Sequence, residues 1–82
     1  MDKFYFTFGT SERFPFRGGW VEVLAPDYSS AVKTFRAKYP DIHKGIVNCS
    51  DIYTAEQFED SEMVNGNLGA ACHDTLFFGE DM

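Results

Sequence analysis

The chain predicts a small single-domain α+β fold, with an antiparallel or mixed sheet, elements in the order β-β-α-β-α-β, and two helices packed on one face. Three observations predict it. Phe4, Phe6 and Phe8 alternate with Tyr5 and Thr7, the period-2 signature of a strand with one buried face. Trp20–Ala25 (WVEVLA) alternates again after a Gly-Gly pair. Tyr28, Ala31, Val32, Phe35 and Tyr39 then fall on one helical stripe at spacings i, i+3, i+4, i+7 and i+11.

Taken in order, the first strand spans Lys3–Gly9, with its three phenylalanines towards the core. Thr10–Arg17 is a loop in which Pro15 fixes its own φ and biases Phe14 to an extended conformation. Phe14 and Phe16 are therefore expected to splay to opposite sides, one folded onto the core and one exposed. Gly18 and Gly19 permit positive φ or close backbone approach before the second strand. In that strand Val21 and Val23 face one way, and Trp20, Glu22 and Leu24 the other.

Pro26 ends the strand and Asp27 is a suitable N-cap for a helix over 28–39. Lys33, Arg36 and Lys38 are solvated, and Pro40 stops the helix after a basic last turn, as the dipole favours. A loop, Asp41–Gly45, precedes a third strand over Ile46–Tyr53, interrupted near Asn48–Ser50. Thr54-Ala-Glu-Gln57 matches a capping box and opens a short helix to about Met63 that buries Phe58. Asn65-Gly66-Asn67 and Gly69 mark a turn-rich loop, and Ala71–Phe78 supplies a fourth strand through Leu76 and Phe78. Gly79–Met82 reads as a frayed acidic tail.

A chain of 82 residues makes one domain and buries roughly 60–65% of its unfolded surface. It has no apolar run of about 18 residues and no basic segment leading into an apolar one, so neither a membrane span nor a secretory signal is expected. The expected compartment is the cytoplasm, with Cys49 and Cys72 reduced. The net charge of −6 is unevenly distributed. Residues 1–44 carry all seven Lys and Arg against five acids, a balance of +2; residues 45–82 carry eight acids and no base, a balance of −8. An acidic surface repels phosphate backbones and attracts basic partners, so direct nucleic-acid binding is disfavoured.

Four candidate sites compete with ordinary structural roles. Cys49, Cys72 and His73, with His43 or Asp51, supply zinc-ligand types but lack the close pairs that mark a zinc module. Adjacent Cys72 and His73 would point to opposite sides of a strand, so core or surface roles are favoured and no metal or other cofactor is expected. A Cys-His-Asp set exists only on paper, in Cys49 or Cys72, His43 or His73, and Asp51 or Asp74. No enzymatic activity is expected. Arg17-Gly18-Gly19 could offer backbone N–H groups to an anion, with Arg13 and Arg17 beside Phe14, Phe16 and Trp20 able to stack a nucleotide. The glycines precede a strand, however, which suits a plain hairpin loop better. Glu56, Glu59 and Asp60, at i, i+3 and i+4, share one helix face, with Glu62 near and Asp51 adding to a carboxylate patch. Such a patch can fill a groove lined by Lys and Arg; its bland reading is a solvated face.

The stretches FYFTFGTSERFPFRGGWVEV, FRAKYPDIHKGIVNCSDIYT and NGNLGAACH resemble a group of small uncharacterised proteins of bacterial phages and other mobile elements. The resemblance implies context rather than site residues: such proteins are often inhibitors of host defence, anti-CRISPR proteins among them. The expected function is thus binding and inhibition of a host protein or nucleoprotein complex through Asp51, Glu56, Glu59, Asp60 and Glu62, with Phe14, Phe16 and Trp20 as anchors. The alternative is a nucleotide-sequestering homo-oligomer, a homodimer for instance, built on Arg13 and Arg17.

Overall fold

In the computed structural model, which describes residues 1–79, the elements are β1 (Asp2–Thr7), β2 (Trp20–Ala25), α1 (Tyr28–Lys38), β3 (Asp51–Thr54), α2 (Ala55–Asp60), a single 3₁₀ turn (Met63–Asn65) and β4 (Cys72–Phe77). The expected tail residues 80–82 lie outside the described residues. The sheet order is β3-β1-β2-β4, with β1 antiparallel to both β2 and β3, and β4 parallel to β2. The sheet is therefore mixed.

Alternation places the core. Phe4 pairs with Val23, Phe6 with Val21 and Asp2 with Ala25. Directly paired residues share a face, so one side of the sheet presents Phe4, Phe6, Val21, Val23 and Ala25 together. All five are buried. α1 seals them: Phe35 stacks on Phe6 with ring centroids 4.3 Å apart, and Ala31 is fully buried beside it. The Asp27 carboxylate accepts the Ser30 amide at 2.8 Å, so the helix starts where its sequence signal says.

The other side of the sheet carries Tyr5 and Glu22, Thr7 and Trp20 as paired residues. Here α2 docks: Phe58 stacks on Tyr5 at 4.0 Å and meets Trp20 edge-on at 4.9 Å. The α+β class and the two helices are as expected, but the helices occupy opposite faces. β3 ends on the edge of the sheet and runs into α2 without a loop. With the Phe face filled by α1, the apolar surface left to Phe58 is that of Tyr5 and Trp20.

Three boundaries also differ. The third strand is confined to Asp51–Thr54, because 43–50 is a compact loop. His43 bridges to Ile46, Gly45 has φ of 84°, and the Cys49 amide donates to the Val47 carbonyl at 2.8 Å. α2 stops at Asp60 rather than Met63: the Ser61 hydroxyl donates back to the Phe58 carbonyl at 2.6 Å, and Glu62 turns left-handed at φ 63°. β1 stops at Thr7, although the Phe8 amide still reaches the Gly19 carbonyl at 3.2 Å.

Candidate functional site

The acidic patch is built by α2. Thr54 Oγ1 accepts the Gln57 amide and Gln57 Oε1 accepts the Thr54 amide, a complete capping box that sets the helix start. Phe58 then fixes the rotation by burial at 3% exposure. With Phe58 inward, Glu56, Glu59 and Asp60 are all exposed. The two ion pairs among the described residues, Arg36–Asp41 at 2.9 Å and Lys38–Asp74, both involve α1 and leave these three carboxylates without a cationic partner. Lys3 lines, with Glu56, Thr54 and Asp2, a shallow depression of about 300 Å³ beside the helix start. The field of the patch reaches the sheet. The Tyr5 hydroxyl is pushed up to about 12 by burial, then by the Glu22 carboxylate and by Glu59.

Not every expected member joins this face. Asp51 is exposed but sits at the head of β3, opposite Thr7, so three strand steps of about 3.3 Å separate it from the helix start. Glu62 is exposed just past the helix. Its left-handed φ redirects the chain, so Glu62 does not continue the α2 face.

The expected aromatic anchors are placed differently. Trp20 is 6% exposed beneath Phe58. Phe14 and Phe16 do not splay apart. Both are half-buried and fold back onto Phe8, with centroids at 6.3 and 5.5 Å, and Phe16 also stacks on His73 at 4.1 Å. The reason is that Phe8 lies at the open end of the core, where both rings find apolar surface. These three residues complete the fold and do not form an exposed apolar cluster.

The Arg-Gly-Gly segment does not offer an anion cradle. Arg13 and Arg17 are exposed, but the Gly18 amide donates to the Gly9 carbonyl at 3.1 Å and the Gly19 amide to the Asn67 carbonyl at 2.9 Å. Gly18 and Gly19 sit at φ of 65° and 68°. A Cβ at Gly18 would meet the Asn67 carbonyl oxygen at 2.5 Å, and one at Gly19 would strike Ala71 and the His73 ring. The glycines are there so that the 67–71 loop can approach. Asn67 completes that lock by donating its Nδ2 to the Phe8 and Gly19 carbonyls at 3.1 and 3.3 Å.

The cysteine and histidine candidates are dispersed in the same way. Cys72 donates its thiol to the Asp74 carbonyl, whereas the His73 ring lies on Phe16 with Nε2 at 2.9 Å from the Gly18 carbonyl. Burial, and then Asp51, pushes the Cys49 thiol up to about 12, the reverse of what a nucleophile or metal ligand needs. His43 sits in the 43–46 bridge. Among the described residues no three His, Cys, Asp or Glu side chains gather into a metal-binding group.

Sequence reasoning did not mark several apolar residues as exposed, Ile46, Val64 and Leu68 among them, each about 60% exposed. Leu68 was detectable: it stands in the middle of Asn67–Ala70, where the local signals demand a turn. Among the described residues no helix is long and apolar enough to cross a membrane. Comparison with protein families, with characterised proteins and with solved structures finds no match for this chain.

Proposed function

We propose that this protein is a non-enzymatic, phage-type accessory protein of the bacterial cytoplasm that binds and inhibits a host protein through the outer face of α2. The observation that carries the reading is the trio Glu56, Glu59 and Asp60, exposed on one face with no ion-pair partner among the described residues. Like charges at i, i+3 and i+4 cost helix stability, and among the described residues no ion pair offsets that cost. Carboxylates held at helical spacing match a groove lined by Lys and Arg, the surface that a nucleic-acid-handling defence complex presents. The inhibitor would thereby occupy the groove that the nucleic acid needs. Electrostatic steering makes the association fast at low salt and slower as ionic strength rises.

The test is charge reversal. The triple variant Glu56→Lys, Glu59→Lys, Asp60→Lys is expected to lose inhibition of a partner recovered by tagged affinity capture from host lysate. Arg13→Ala with Arg17→Ala is expected to inhibit normally. Undiminished inhibition by a correctly folded triple variant would rule the reading out.

A further inference from the structure

The fold treats the chain's three asparagines, Asn48, Asn65 and Asn67, differently. Asn48 is half-buried in the 43–50 loop, with its Oδ1 shut off from solvent. Asn67 is half-buried as well, and its Nδ2 is held by the Phe8 and Gly19 carbonyls at 3.1 and 3.3 Å. The residue after it is Leu68, a branched side chain at a left-handed φ of 53°. Asn65 differs on every count. It is exposed, no hydrogen bond holds its side-chain amide among the described residues, and a glycine follows it.

Asn65 closes the 3₁₀ turn Met63–Asn65, and the Gly66 amide donates to the Met63 carbonyl at 2.8 Å. Gly66 lies at φ 124° and ψ 153°, a conformation essentially confined to glycine. With no side chain on Gly66 to crowd it, the Gly66 backbone nitrogen has a clear approach to Cγ of the Asn65 side chain. One hydrogen bond stands in the way. While the turn is closed, that bond occupies the Gly66 N–H and keeps Asn65 helical, so ring closure waits for the turn to open. A three-residue 3₁₀ turn has poorer hydrogen-bond geometry than an α-helix, and an exposed one opens locally while the core stays folded.

We propose that Asn65 is a spontaneous modification site, reacting with water alone, whose product loosens the seat of the 67–71 loop. When the turn opens, the Gly66 nitrogen gives its proton to solvent and attacks Asn65 Cγ. A C–N bond forms and closes a succinimide ring; the Cγ–Nδ2 bond breaks, and Nδ2 takes up a proton and leaves as ammonia. Water then adds to either ring carbonyl and opens the ring to an aspartyl or a β-aspartyl residue, with no oxidation or reduction at any step. The β-aspartyl product carries an extra methylene in the main chain just ahead of Asn67. Asn67 is the residue that seats this loop, through its own side chain and through the Gly19 amide that donates to its carbonyl at 2.9 Å. The inference is independent of the reading of α2.

The experiment ages the purified full chain in mildly alkaline buffer, folded and, in parallel, unfolded in guanidinium chloride. Each asparagine is followed by peptide mapping, together with ammonia release and labelling by an isoaspartyl methyltransferase. In the folded chain Asn65 is expected to exchange NH for O at least about tenfold faster than Asn48 or Asn67, because its turn opens without the rest of the domain. Asn65→Ser should remove the ammonia release and the label together. Val23→Ala, which weakens the core, should leave the folded-state rate at Asn65 within about twofold, since the opening is local. The β-aspartyl fraction should lose amide-exchange protection at Gly19 and Trp20, whose amides donate to Asn67 and Ala71. The proposal is overturned if Asn65 reacts in guanidinium but stays intact in the folded chain, or if Asn48 or Asn67 reacts first. It is overturned equally if Val23→Ala speeds the reaction in step with the loss of global stability, or if the β-aspartyl fraction keeps its protection at Gly19 and Trp20.

Discussion

The two faces of the sheet carry their helices on different terms. On the first, the eleven residues of α1 lie across Phe4, Phe6, Val21 and Val23, and Phe35 is fully buried. Phe14, Phe16 and Tyr39 extend this cover to Phe8, while Asp74 ties β4 to the helix through Tyr39 and Lys38. On the second, the six residues of α2 reach only Tyr5 and Trp20 through a single inward ring. At about 1.5 Å per residue that helix is under 10 Å long, and it leaves Leu24 half-buried and Phe77 40% exposed. One face is closed and supplies stability. The other is half open and carries the carboxylates. On the proposed reading the domain divides its labour by face, with the sealed side left to stability and the α2 side to the partner.

Removing the central ring from each face tests this most sharply. Phe35→Ala is expected to cost about 4–5 kcal/mol and leave little folded protein, since its neighbours are too tightly packed to collapse into the void. Phe58→Ala is expected to cost about 3 kcal/mol, with loss of amide-exchange protection confined to 54–62 while the Phe-face core persists. Equal costs in urea unfolding, or global loss of protection in Phe58→Ala, would break the comparison.

Alkaline pH probes both faces at once. The Cys49 thiol beside the closed core and the Tyr5 hydroxyl beneath α2 are both held neutral, each pushed up to about 12. A raised acid pKa contributes stability that is complete below the unfolded-state value and is lost as pH rises through the folded one. Stability should therefore decline from pH 9 for Cys49 and from pH 10 for Tyr5, their ordinary values. Urea midpoints measured from pH 8 to 11 should fall, and Cys49→Ala should delay the onset. A flat profile would mean that neither group is as shielded as its surroundings imply.

The smallest expected effect concerns the acidic helix itself. Glu59→Gln should stabilise the domain by about 0.2–0.5 kcal/mol by relieving the like-charge pair with Glu56, and the gain should shrink in high salt. Destabilisation instead would mean that Glu59 serves the fold.

Much of the fold was legible because its signals are local. Phe4, Phe6 and Phe8 announce a buried strand face, Asp27 and Thr54 announce helix starts, and Pro40 announces a stop. The acidic face was legible for the same reason, since helical spacing alone puts Glu56, Glu59 and Asp60 together once Phe58 points inward. What stayed hidden depends on residues distant in the chain. Nothing near Gly18 and Gly19 reveals that Asn67 and Ala71 press against them, so the pair could be mistaken for an anion cradle. Nothing near Phe14 and Phe16 says that His73 and Tyr39 receive Phe16. The strain at Leu68 needs a φ angle to be seen at all.

The sequence by itself determined the α+β class, the order of the strands and helices, the side-chain rows of the first two strands and the first helix, and the uneven distribution of charge. These follow from periodicity, capping and composition, which act over a few residues. Only the tertiary structure decided which face each helix takes, that Trp20, Phe14 and Phe16 serve the core, and that the carboxylates of α2 have no ion-pair partner among the described residues while Glu62 and Leu68 take left-handed φ. Those outcomes depend on which surfaces remain free after the others have packed, and that competition involves the whole chain.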